Sequence, residues 1–87
     1  MLYSYLPSLD LHGESADISR ILVDQFILDN YKLRNYKVVI IHGIGTGIVR
    51  KTVHLTLKKN KLVKNYKVDN FNSGCTIVEI VDNVDFL

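Results

Sequence analysis

The chain has 87 residues, 47% of them hydrophobic and 23% charged, with one Pro and a formal net charge of +2. That length holds one domain with a single core of modest stability, and the composition is that of an ordinary globular protein, not a disordered or fibrous one. Hydrophobic runs such as 38–41 fall far short of the roughly 20 residues that span a bilayer, and residues 1–7 lack the charged and apolar regions of a secretory signal, so no membrane partner and a cytoplasmic location are expected.

Residues 6–11 read as a first strand, with Leu9 and Leu11 on one face and Asp10 and His12 on the other. Gly13 breaks it. Ser15 is placed to cap a helix in which Ala16, Ser19, Leu22, Val23, Phe26 and Ile27 recur at helical spacing to about Tyr31. Ile18, Ile21 and Leu28 form a second apolar stripe, turned either to the other helix or to an exposed contact surface. Residues 36–41 are β-branched and nearly unbroken in hydrophobicity, the pattern of a central strand buried on both faces.

After a glycine-rich turn, Val49, Val53 and Leu57 repeat every four residues as a second helix, closed by Lys58 and Lys59 near Asn60. Residues 62–71 alternate loosely, Asn72-Ser73-Gly74 gives a turn, and 75–81 make a last β-branched strand, so these two strands should pair as a hairpin. The order is βαβαββ with a core over about 6–81, and 83–87 read as a loosely held tail. Cys75 is the one cysteine, which excludes an internal disulfide and a thiolate zinc cluster; a small buried core residue is expected there.

The two strand-to-helix turns share a His-Gly dipeptide: Leu9-Asp10-Leu11-His12-Gly13 and His42-Gly43-Ile44-Gly45-Thr46-Gly47. If the two strands are parallel neighbours, as strand-helix-strand units usually are, both histidines and both helix N-termini converge at one sheet edge, where ligands of open α/β sheets bind. Gly43, Gly45 and Gly47 suit close approach of the backbone to a phosphate, and equally a tight turn with positive φ; they form neither a Walker loop nor a dinucleotide fingerprint. His12 and His42 are the candidate acid and base, since imidazole titrates near neutral pH, and Asp10 is placed to orient a ring or join a divalent ion. Arg50 and Lys51, one turn into the second helix, are candidates to hold a backbone phosphate, whereas His54 reads as a surface or packing residue outside the site.

Charge is segregated along the chain. Ten of the 11 basic residues fall within 30–68, which contains no Asp or Glu. That asymmetry points to an anionic partner, most simply nucleic acid, or to a solvated lysine-rich face; Lys58 to Lys67 either extend a phosphate track or solvate the far end.

These residues resemble the Smr domain, the small MutS-related module found alone or at the C-terminus of a MutS paralogue. The LDLHG stretch from Leu9 to Gly13, the HGxGTG stretch from His42 to Gly47 with Arg50 in the helix behind it, and the closing strand Thr76-Ile77-Val78-Glu79 carry the resemblance. It implies an α/β (α+β) two-layer sandwich, two helices on a four-stranded mixed sheet, similar to the C-terminal domain of translation initiation factor three. It also implies an endonuclease that nicks DNA or cleaves RNA, with Asp10 and His12 as catalytic pair and His42, Gly43, Gly45 and Gly47 as phosphate-facing loop, Thr46 within it. Other members imply a noncatalytic module binding nucleic acid or ribosomes within a larger DNA repair, recombination or ribosome-rescue ATPase. Either no cofactor or a magnesium or manganese ion, the metal being the weaker reading because two His and one Asp form a generic set, and a monomer or weak dimer, stand as expectations. One departure is visible: Phe71 and Asn72 occupy the positions of a glycine pair common in the family, which leaves Gly74 and bears on substrate preference more than on fold.

Overall fold

Ser15 accepts a hydrogen bond from the Ile18 N–H at 3.2 Å through its hydroxyl, satisfying one of the free amides of a helix start, and the first helix runs from there. The computed structural model describes residues 5–82. The expected tail at 83–87, and the first four residues of the stretch read as lacking a secretory signal, lie outside it. The elements are β1 (Ser8–Asp10), α1 (Ala16–Lys32), β2 (Lys37–Ile41), α2 (Ile48–Lys59), β3 (Val63–Val68) and β4 (Cys75–Ile80), in the expected βαβαββ order.

The first strand is shorter than its sequence pattern because the chain turns at once. The His12 N–H donates to the Asp10 carboxylate at 2.9 Å and the Glu14 N–H to the Leu11 carbonyl at 3.0 Å, which ends the alternation of faces before His12. Leu11 still donates to the Ile41 carbonyl at 2.8 Å, so the two strands remain joined one residue further.

The sheet order is β1-β2-β4-β3. Strands β1 and β2 are parallel, and β4 runs antiparallel to both β2 and β3, so the sheet is mixed and the β3–β4 hairpin forms as expected. With a neighbour on each side, β2 is central, and Val38, Val39 and Ile40 are at most 1% exposed. Both helices pack on one face: Val23 and Ile27 of α1 and Val53 and Leu57 of α2 meet Leu11, Val38, Ile40, Val78 and Ile80 of the sheet layer. Each such fully buried Val, Leu or Ile contributes about 1.5–3 kcal/mol. Val39, Cys75 and Ile77 form a smaller cluster on the other face, with Leu6 and Ile41 against it. Cys75 is buried there as a core residue.

Ile18 and Ile21 are exposed and Leu28 is half-buried, so that stripe is not the α1 face turned to α2. Ala16, Arg20 and Asp24 line the hollow between the helices instead, and the Asn60 amide donates to the Asp24 carboxylate at 3.0 Å. Among the described residues no helix is long and apolar enough to cross a membrane.

Candidate functional site

The carboxyl ends of β1 and β2 lie side by side, with Asp10 opposite Ile41, so the His-Gly turns that follow open at one edge of the sheet. Between them lies a groove of about 450 Å³, lined by Leu11, His12, Gly13 and Glu14, by residues 42–47, and by Ile48, Val49 and Arg50 of α2. A larger hollow of about 530 Å³ between the helices mixes both signs of charge and is lined by no histidine, whereas the groove at the strand ends holds two.

Seven of the nine residues singled out in the sequence meet in the groove: His12, His42, Gly43, Gly45, Thr46, Gly47 and Arg50. Asp10 and Lys51 stand outside its lining. The Asp10 carboxylate is engaged by the His12 backbone amide, and Lys51 is exposed, with its own amide donating to the Gly47 carbonyl at 2.9 Å.

Of the two helix N-termini at this edge, that of α2 is the open one. Gly47 caps it in the left-handed region at φ +82°, and having no side chain it offers the free amides no acceptor. The Thr46 hydroxyl is 3.4 Å from the Ile48 nitrogen, at the weak end of hydrogen bonding, and the first turn of α2 carries no acid. The N-terminus of α1 is self-satisfied by Ser15 and has Asp17 in its first turn. The positive end of the α2 dipole, with the Arg50 guanidinium lying beside Gly47, therefore favours an anion in the groove.

The inner side of the glycine turn is anchored by the loop before β4. The Gly74 carbonyl accepts from the amides of His42 and Gly43, both at 3.0 Å. Gly74 also approaches Gly43 so closely that a Cβ there would stand 3.4 Å from the Gly43 Cα and 3.2 Å from the Asn72 Oδ1. The single glycine left in this loop thus sits where backbone meets backbone. Asn72 serves the turn through its side chain, accepting from the Gly74 N–H at 2.9 Å, and Phe71 points outward, 81% exposed.

The two histidines of the motifs differ in kind. His12 is exposed, and among the described residues nothing hydrogen-bonds its ring. His42 is 6% exposed, with Nδ1 2.9 Å from the Gly43 carbonyl and Nε2 2.8 Å from the Thr76 hydroxyl. Burial pushes its pKa below the ordinary histidine value; Arg50 adds to that, and the Gly43 carbonyl opposes it.

His54, read from the sequence as a surface or packing residue, is half-buried against this network. Its Nε2 lies 2.8 Å from the same Thr76 hydroxyl, its ring stands edge-on to His42 with centroids 5.8 Å apart, and it leans on Tyr66 at 5.2 Å. Burial lowers its pKa too, followed by the charges of His42 and Arg50. Sequence reading missed His54 and Thr76 as parts of the site. The available signals were a histidine one helical turn after Arg50 and a threonine within an apolar strand; neither names its partner without the strand order.

Among the described residues no three His, Cys, Asp or Glu side chains stand together as a metal-holding set. A magnesium or manganese ion beside Asp10 would draw most of its ligands from water and phosphate, as magnesium commonly does.

Residues 9–81 match the family model of the Smr domain. The chain is similar to the protein named Endonuclease MutS2 of Lachnoclostridium phytofermentans, 39% identical over 79 residues that make up 91% of this chain and 10% of that protein. It is also similar to Endonuclease MutS2 of Halothermothrix orenii, 37% identical over 76 residues, 87% of this chain and again 10% of the relative. The chain thus spans about a tenth of the length of these relatives. Among solved structures, the fold is similar to the Smr domain of Thermus thermophilus MutS2, with a TM-score of 0.84 at 24% identity, covering 87% of this chain and 99% of that one. YdaL, a stand-alone small MutS-related protein from Escherichia coli, aligns with a TM-score of 0.79 at 28% identity over 84% of this chain and 63% of its own.

Proposed function

The chain belongs to the Smr domain family, and from that premise we propose that it is a single nucleic-acid-binding endonuclease domain that cuts the phosphodiester backbone of DNA or RNA without reading bases. The observation that carries this reading is an exposed imidazole, His12, with no ring partner among the described residues, lining one groove with an open helix N-terminus and a guanidinium. The free amides at the start of α2 and Arg50 hold a phosphate; contacts of that sort position a backbone and carry no sequence information. His12 takes a proton from the attacking oxygen or returns one to the leaving oxygen. Asp10 fixes the His12 backbone through its carboxylate, and His42, with both ring nitrogens engaged, shapes the turn that faces the phosphate. In cells the domain works in the cytoplasm, as a monomer or weak dimer, alone or within a larger MutS-like protein.

A second reading, a noncatalytic nucleic-acid or ribosome-binding module of such a larger protein, is favoured by a specific feature: His42 is occupied, which leaves one histidine in the groove for proton transfer.

Nicking of supercoiled plasmid and cleavage of an end-labelled structured RNA separate the two, each tested with magnesium, manganese or chelator. The parent is expected to cut one substrate, and His12→Ala to lose about 100-fold or more of that cleavage while binding changes by no more than a few fold. Equal cleavage by both proteins removes His12 from the mechanism. Salt-dependent binding with no cleavage under any ion condition selects the binding module.

A further inference from the structure

The hydrogen-bonding groups around His42 admit one protonation pattern. A carbonyl oxygen only accepts, so the Nδ1 facing Gly43 carries the ring proton. In the neutral ring Nε2 is then bare and must accept, and the group within reach is the Thr76 hydroxyl. That hydroxyl has one proton and gives it to His42. The His54 Nε2, equally near the same oxygen, must therefore carry its own proton and donate. The result is a directed chain, from His54 N–H to Thr76 O–H to His42 and from the far side of that ring to the Gly43 carbonyl.

We propose that Thr76 and His54 are positioning residues of the groove: through His42 they fix the Gly43–Ile44 peptide, and with it the amides that the glycine turn offers to a bound phosphate. The peptide is planar and trans, so a Gly43 carbonyl drawn to the imidazole sends the Ile44 N–H the opposite way. The His42 and Gly43 amides are already committed to the Gly74 carbonyl, which makes Ile44 the first amide of the turn not held inward. Thr76 is fully buried, so water cannot replace its hydroxyl. Without that hydroxyl the His42 Nε2 loses its donor, the ring is free to move its proton there, and a bare Nδ1 then opposes the Gly43 carbonyl. The importance of this orientation to the protein rests on the proposed phosphate-binding role of the turn.

The first test needs no variant: nitrogen-15 NMR of the histidine side chains should show His42 with its proton on Nδ1 and His54 with its proton on Nε2. Thr76→Val should mix the His42 tautomers, move the backbone amide resonances of residues 43–47, and weaken binding of a fluorescent oligonucleotide roughly tenfold. Thr76→Ser, which keeps the hydroxyl, should restore both readouts, and His54→Ala should give a smaller loss than Thr76→Val. A parent protein with the His42 proton on Nε2 overturns the relay, as does Thr76→Val with unchanged His42 nitrogens and unchanged affinity. If the parent binds no oligonucleotide while the tautomers respond as described, the relay stands and the nucleic-acid reading of the turn fails.

Discussion

Protonation is the event to which His42 and His54 are most exposed energetically. Both pKa values are lowered in the folded chain, by burial first and then by neighbouring positive charge. The groups that face them are Arg50 from α2, Thr76 from β4 and each other, with Tyr66 of β3 against His54. As pH falls below the ordinary histidine value of 6.5, the unfolded chain takes up protons that the folded chain refuses. Stability from these residues is therefore complete above that pH, is lost as pH falls through it toward the depressed folded values, and levels off below them. Urea unfolding between pH 7.5 and 5 should show a falling midpoint, flatter in His54→Gln; a midpoint rising over the same interval contradicts the sign. Ser19 makes the opposite case. Its hydroxyl is fully buried on α1 without a partner among the described residues, so Ser19→Ala removes an unmet polar group and improves helix propensity. Thermal unfolding should record a gain of about 0.5–1 kcal/mol.

At the scale of elements, the two strand-helix junctions have the same dipeptide and opposite endings. Ser15 closes the first helix start with a side chain, and Gly47 opens the second by having none. Gly47→Ala places a Cβ at φ +82°, a conformation that costs an L-residue about 1–2 kcal/mol. Urea unfolding should show a loss of that size, together with weaker oligonucleotide binding from a displaced turn; an unchanged midpoint would mean the cap is not held in the left-handed region. Helix starts, the hairpin and the buried central strand were legible because each rests on local chemistry: a capping serine, a turn of Asn, Ser and Gly, an unbroken β-branched run. The length of β1 was not, because the Asp10 side chain captures the His12 amide and turns the chain early.

At the scale of the whole molecule, the acid-free stretch of sequence is not one surface. Helix α2 is about 18 Å long, so Lys58 and Lys59 end it far from the groove, in company with Lys37 at the start of β2 and Lys61 and Lys64 around the start of β3. Arg50 lines the groove, and Lys51, next in the helix, is exposed outside the lining. If the groove is where the backbone binds, affinity for a duplex should fall linearly with log salt, and Arg50→Ala should reduce that slope by about 0.9, one phosphate contact. Replacing Lys58 and Lys59 with Gln should leave the slope as it was; a larger loss from the lysine pair than from Arg50 moves the binding surface to the far end. The sequence by itself determined the element order, because periodicity and caps are local rules, and the usual geometry of strand-helix-strand units made a parallel first pair of strands and the meeting of two His-Gly turns the expectation that strand pairing then met. Only the tertiary structure decided that β4 inserts beside β2, which puts the Gly74 carbonyl under the glycine turn and the Thr76 hydroxyl between two histidines. Residues 34 positions apart in the chain meet there through strand pairing, and no spacing within either segment encodes its partner.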